Sequence, residues 1–355
     1  MSKQPMDVSL CLYPEGVTSV VERCSLQPIV GASSFQFGPT PQQMDGTSFR
    51  ALFSDPSITR LRSYTCIPSS NGGSVLMNVE SFSRDPQPCT VTYETGGLSW
   101  QVWYDCVLRH GRAILTAYLS VTNATSVPYD DVTLRFVVSV GPSQAPSRHA
   151  FSTERPVSLH PLATTHVELF TAAEIPVFNR IVAPSDSPVV IEEFYLQNSD
   201  RCGLGMELPP GPIRVFQDGP PLLRIDAGTF PFTMPGDEIS VRNAVCSDVV
   251  MHGGWDYDTG IANVHVHNDR AEPVSVQVEE TEDPVDIVEA SHQLQADGPF
   301  RYFVVEVAPS STSRLSYRIS DESLRRSLPP GYQRPPRPAL SMQPVGSHLP
   351  NPRLA

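Results

Sequence analysis

A chain of 355 residues, 40% of them hydrophobic, is long enough for about two domains of roughly 150 residues each, with cores that need no disulfide. Its 25 basic against 38 acidic residues leave a formal charge of −13, which repels nucleic-acid phosphates and anionic lipid headgroups and excludes both as default partners. The opening MSKQPMDVSLCLYPEG has no secretory pattern, no apolar run reaches the length of a membrane span, and seven cysteines form no CxxC pair; together these predict a reduced, intracellular, soluble protein.

Proline, at 36 residues, is about twice its usual share of roughly 5%, which interrupts helices and suits short strands joined by turns. Residues 1–68 predict an N-terminal β domain of four short strands, turning at Pro14-Glu15-Gly16 and closing at the polar link Ser69 to Gly73. Residues 74–323 carry the longest strand series, with a subdivision expected near 145–150. Within it, residues 91–108 read as a hairpin turning near Gly96-Gly97. Residues 113–123 then put Leu115, Ala117, Leu119 and Val121 on one face and Thr116, Ser120 and Thr122 on the other. The same alternation recurs at Val132, Leu134, Phe136 and Val138, at Phe303, Val305 and Val307, and at Leu315, Tyr317 and Ile319. Turn signals at Asp218-Gly219-Pro220-Pro221 and Pro235-Gly236-Asp237 separate further strands. The prediction is an all-β fold of antiparallel, sandwich-like domains with a Pro/Arg-rich tail over 324–355. That tail lacks core material and reads as extended or disordered, or as a docking arm in which Arg334, Pro335, Pro336 and Arg337 present a preformed ligand.

The order of several motifs adds to this. YETGGLSWQVWYDCVL, a strand ending VTNAT, and then YDDVTLRFV resemble the signature of a widespread uncharacterised domain family that includes the bacterial mucoidy inhibitor A proteins. The matching positions are Tyr93, Gly96-Gly97, Ser99-Trp100, Tyr104-Asp105 and Asp130-Asp131. The likeness continues through RPVSLHPLATTHVELF, NSDRCGLGMELPPGPIRVFQDG and VHVHNDRAEPVSVQVEE, and VSLCLYPEGVTSVVERCSL is similar to the strand pair that opens such proteins. Relatives carry a long coiled-coil insertion where this chain has only SSNGG between Pro68 and Ser74, so no role for such an arm is expected. The resemblance implies the β fold and transfers no catalytic residue.

Strand parity sorts the aromatic cluster. Trp100, Val102 and Tyr104 share one face, assigned to the core, and Gln101, Trp103 and Asp105 share the other, which makes Trp103 the candidate for exposed binding surface. His265 and His267 share one face of a strand, a geometry suited to a divalent metal, with His252, Asp256 and Asp258 as the nearest further ligands. The plainer account is a solvent face that carries histidines and an Asp-x-Asp turn, and no metal site or cofactor is expected. Walker, HExxH and GxSxG motifs are absent, and Gly203-Leu-Gly205 reads as a turn. Asn123-Ala-Thr125 fits a glycosylation sequon by accident. The expectation is therefore a non-enzymatic protein of interaction or assembly, with a protein partner or self-association, up to a component of a larger particle such as a virion. The alternative is a hydrolase or carbohydrate-active protein using residues 252–267.

Overall fold

A computed structural model describes residues 4–69, 72–141, 146–185, 187–256, 259–280, 286–297, 300–320 and 322–323. In chain order the first strands are β1 (Gln4–Leu12), β2 (Thr18–Leu26), β3 (Gly31–Thr40), β4 (Met44–Phe53), β5 (Thr59–Ile67), β6 (Gly73–Ser81), β7 (Gln87–Thr95) and β8 (Leu98–Arg109). Next come β9 (Arg112–Asn123), β10 (Tyr129–Val140), β11 (Ser147–Ser152), β12 (Val157–Leu159), β13 (Ala163–Pro176), β14 (Phe178–Pro184), β15 (Ile191–Gln197), β16 (Gly211–Gln217) and β17 (Leu223–Phe230). The last are β18 (Glu238–Val245), β19 (Val249–Asp256), β20 (Ile261–Asn268), β21 (Val274–Glu279), β22 (Ile287–Ala290), β23 (Leu294–Asp297), β24 (Phe300–Val307) and β25 (Ser311–Ile319). The fold is all-β and mostly antiparallel, as the alternation predicts, with parallel pairings between β1 and β10, β8 and β16, and β14 and β21.

The chain divides into two compact units: Met1–Asn179 with Glu193–Asn243, and Arg180–Glu192 with Ala244–Ala355. These are not the expected boundaries. β1 and β2 join β7 and β10 in one sheet, so residues 1–68 share a unit with the strands beyond the SSNGG link. β10 and β11 pair across the expected subdivision near 145–150. Five strands, not four, occupy the first 68 residues.

In the first unit a sheet ordered β11-β10-β1-β2-β7-β4 contributes its apolar residues to one core with β13-β9-β8-β16-β17 and β3-β6-β5. Trp100 of β8 meets Phe136 of β10 at 5.0 Å, and Phe37 of β3 meets Phe49 of β4 and Tyr93 of β7 at 5.9 and 6.2 Å. Ring contacts of this length between facing sheets are those of a β-sandwich core. Gly96-Gly97 does not close a hairpin: β7 pairs with β2 and β4, whereas β8 pairs with β9 and β16. The chain instead crosses between sheets there, with Gly97 at φ 81° and any Cβ only 2.7 Å from Thr125 Cγ2, which restricts the position to glycine.

The second unit packs β14-β21-β24-β23 and β19-β20-β25-β22 around a valine-rich core that includes Val264, Val266, Val276, Val305 and Leu315. Phe303 and Tyr317 face each other across it at 5.0 Å.

One local device occurs three times. Asn123, Asn198 and Asn268 each end a strand or lie directly after it, and each is 0% exposed. Asn123 Nδ2 donates to the carbonyls of Val127 and Leu159, and its Oδ1 accepts from Thr125 N–H. Asn198 does the same with Met206, Met234 and Gly205, and Asn268 with Glu272, Val307, Ala308 and Arg270. Each amide thus clasps its own outgoing loop to a distant turn. In every case that turn holds a proline followed by a positive-φ residue: Pro161-Leu162, Pro235-Gly236 and Pro309-Ser310. Burial of Asn123 also withdraws the sequon from any glycosylation.

Candidate functional site

β8 sits between β9 and β16, and odd-numbered residues from Gln101 to Val107 turn away from the core. Register places Trp103 opposite Tyr118, Asp105 beside Arg214, and Ser120 opposite His166 of β13. The Trp103 ring stacks on Tyr118 at 4.3 Å and 18°, and on its other flank the Arg214 guanidinium lies 4.3 Å from the ring centre. Arg214 is fixed there by bonds of 2.7 and 2.9 Å to both oxygens of Asp105. Bidentate geometry of this kind holds a guanidinium in plane over an indole. Trp103 Nε1 donates to Ser120 Oγ at 2.8 Å, and Oγ lies 2.7 Å from His166 Nδ1. Trp100, Val102 and Tyr104 pack inward and Trp103 is half-buried within this outward stack, as strand parity predicts. Ser120 and His166 have the spacing of a nucleophile and its base. Yet Ser120 Oγ is already engaged by the Trp103 indole N–H, and β9 is paired on both sides, by β8 and β13.

The three histidines of the 252–267 region share an open sheet face. His252 of β19 stands directly opposite His265 of β20, both exposed, and His267 lies two residues along. His267 is engaged at both nitrogens, with Thr312 Oγ1 at 2.8 Å and Asp269 Oδ1 at 2.9 Å. His265 pairs in register with Arg314, whose guanidinium bonds Asn263. Asp256 serves a turn, accepting from Thr259 Oγ1 at 2.7 Å, which is the turn role the sequence allows it. Asp258 lies outside the described residues, as do Arg334, Pro335, Pro336 and Arg337. Among the described residues no group of three or more His, Cys, Asp or Glu side chains is placed to hold a metal ion.

A third place was not singled out from the sequence. A cavity of about 410 Å³ in the first unit is lined by Asp7, Glu22, Asp130 and Asp131, with Val8, Pro39, Val127 and Pro128 among its apolar walls. Glu22 is the unusual member. It falls in phase with Thr18, Val20, Cys24 and Leu26 on the buried face of β2, and it is only 7% exposed. Carboxylates are seldom buried without a specific environment, and here the Tyr93 hydroxyl donates to Glu22 Oε1 at 3.2 Å. Burial, together with the nearby Tyr129 hydroxyl, pushes the Tyr93 phenol well above its ordinary range. Tyr129 approaches without reaching hydrogen-bond geometry, and its buried hydroxyl has no partner among the described residues. The readable signal was a Glu on the apolar phase of a strand.

Burial pushes the thiols of Cys66 and Cys246 up. Burial raises Cys106 to about 12, and Cys202 Sγ is 3.9 Å from Gln197 Oε1. Among the described residues no helix is long and apolar enough to cross a membrane. No family model and no curated protein matches this chain, so the likeness to the mucoidy inhibitor A family rests on motif order alone.

Proposed function

We propose that this chain is a non-enzymatic β-sandwich protein that acts in protein–protein interaction or structural assembly, in the manner of a component of a larger particle such as a virion. The observation that carries the reading is the Tyr118–Trp103–Arg214 stack on the outward face of β8, β9 and β16, braced by Asp105 and bordered by His166. Trp, Tyr and Arg are the residues that dominate binding energy at protein interfaces, above all where they are held in place before the partner arrives. An open, self-supported face of this kind suits a flat partner surface. Small-molecule chemistry more often uses a concave pocket with a few convergent polar groups.

The test is the mass in solution of the full chain, against 38.9 kDa for one copy, measured by light scattering beside W103S, R214A and a truncation after residue 326. Self-association that W103S or R214A weakens, while near-ultraviolet dichroism keeps its shape, supports the face as an interface. A monomer that captures no defined partner, with both variants unchanged in every binding readout, refutes it.

A further inference from the structure

We infer that the acidic cavity of the first unit receives an arginine–proline peptide, and that the segment Arg334-Pro335-Pro336-Arg337 of a second copy supplies it. This rests on the assembly reading but uses a different surface from the Trp103 face. Four carboxylates converge on one cavity whose walls include no lysine or arginine. Arg23 reaches Asp7 at 3.5 Å with its side chain largely exposed, Glu22 is engaged by Tyr93, and Asp130 and Asp131 are exposed acids of the lining. A bare metal ion is a poor occupant, since no three described acidic, cysteine or histidine side chains are close enough to coordinate one. A guanidinium is better matched. It is a wide, planar cation with five donors, and it satisfies carboxylates several ångströms apart that a point charge could not bridge. The cavity volume of about 410 Å³ lies within the roughly 300–1,000 Å³ of ordinary ligand sites. Tyr129 also lines the cavity, and its buried hydroxyl has no hydrogen-bond partner among the described residues.

The apolar half of the site points the same way. Pro39, Pro128, Val8 and Val127 form rigid walls of the kind against which proline rings pack. β3 is an edge strand that bulges at Gly38-Pro39, which opens the wall where a central strand would have closed it. The chain carries its own matching segment. After Ser323 the sequence has five arginines, eight prolines and no acidic residue, so all 38 carboxylates of the −13 chain precede it. A proline-rich strand loses little conformational freedom on docking, which lowers the cost of holding its arginines in register.

The test uses the full chain with Arg334 and Arg337 changed to Ala, so that the internal segment cannot compete. A fluorescent peptide of residues 328–340, LPPGYQRPPRPAL, is titrated onto it at low and moderate salt. The expected result is saturable binding that weakens with salt, falls about tenfold with D131N, and vanishes when the peptide's arginines become alanine. Asn accepts the positive φ of position 131, so that variant keeps the backbone. Absence of peptide binding while the unaltered chain still self-associates overturns the cavity and leaves the assembly reading standing. Peptide binding that D130N and D131N do not change also overturns it. A full chain that stays monomeric well above the peptide's Kd refutes the second copy as the source.

Discussion

Asn123 offers the sharpest test of what holds the first unit together. Replacing it with Ala removes two donated bonds, to Val127 at 2.9 Å and Leu159 at 3.4 Å, strands the Thr125 N–H that it accepts at 3.0 Å, and leaves the Thr125 hydroxyl only the longer bond to Val127 at 3.3 Å. The site has no exposure, so water cannot replace the lost partners. With about 1 kcal/mol or more for each buried group left unmet, N123A should cost about 3 kcal/mol. For a unit of this size that lowers the thermal midpoint by roughly 6–12 °C, at about 2–4 °C per kcal/mol. N123D separates this mechanism from simple loss of packing. Its carboxylate would keep the bond from Thr125 but face two carbonyl oxygens in a dry site, so its folded pKa is raised above the unfolded value of about 3.9. Raised folded pKa means the charged form is disfavoured in the fold, so the deficit of N123D is small near pH 4 and widens as pH climbs through the folded pKa. The assay is thermal unfolding monitored by circular dichroism from pH 4 to 8. A midpoint for N123A within about 2 °C of the parent, or an N123D deficit that does not depend on pH, refutes the clasp as a source of stability.

Two further outcomes are expected. In the native state a small thiol reagent should modify Cys11, Cys66 and Cys202 well before the buried Cys24, Cys89, Cys106 and Cys246, with mass spectrometry of the digest reading the order; early labelling of Cys24 or Cys89 would contradict the packing of β2 on β7. In the second unit Arg270 bonds Asp248 at 2.7 Å and also reaches Glu192 and Cys246, which holds the Asp248 carboxyl below its usual range. A depressed folded pKa contributes stability above the unfolded value and loses it as pH falls through the folded one, so acid should weaken this contact below about pH 4. R270A should remove that sensitivity and lower amide-exchange protection at Val249 by under about 1 kcal/mol, since Asp248 is half exposed and screened. An R270A chain with the parent's acid profile would show that the pair contributes nothing.

The strand faces were legible because alternation is a local property, and Trp100, Trp103 and Tyr104 fall on the sides that parity assigns. Which strand pairs with which was not legible. Gly96-Gly97 carries a hairpin signal, but the sequence holds no record that β7 and β8 enter different sheets, since that is decided by long-range partners. The unit boundaries were missed for the same reason: β1 finds β10 more than a hundred residues later, and a polar link such as SSNGG looks alike within a unit or between two. Glu22 was readable in principle, as a carboxylate on the apolar phase of β2. Its meaning came only when Asp7, Asp130 and Asp131 were brought to the same cavity from two other strands.

The three buried asparagines have a consequence for ancestry. Each clasp rests on backbone carbonyls and one backbone N–H, with a loop side chain joining only at Thr125, so Thr125, Gly205 and Arg270 all serve at the accepting bond. A unit held this way can be copied along a gene and drift until only an asparagine and a distant proline are shared. Kinship among these segments would then be kept in geometry after it had been lost from the letters of the sequence.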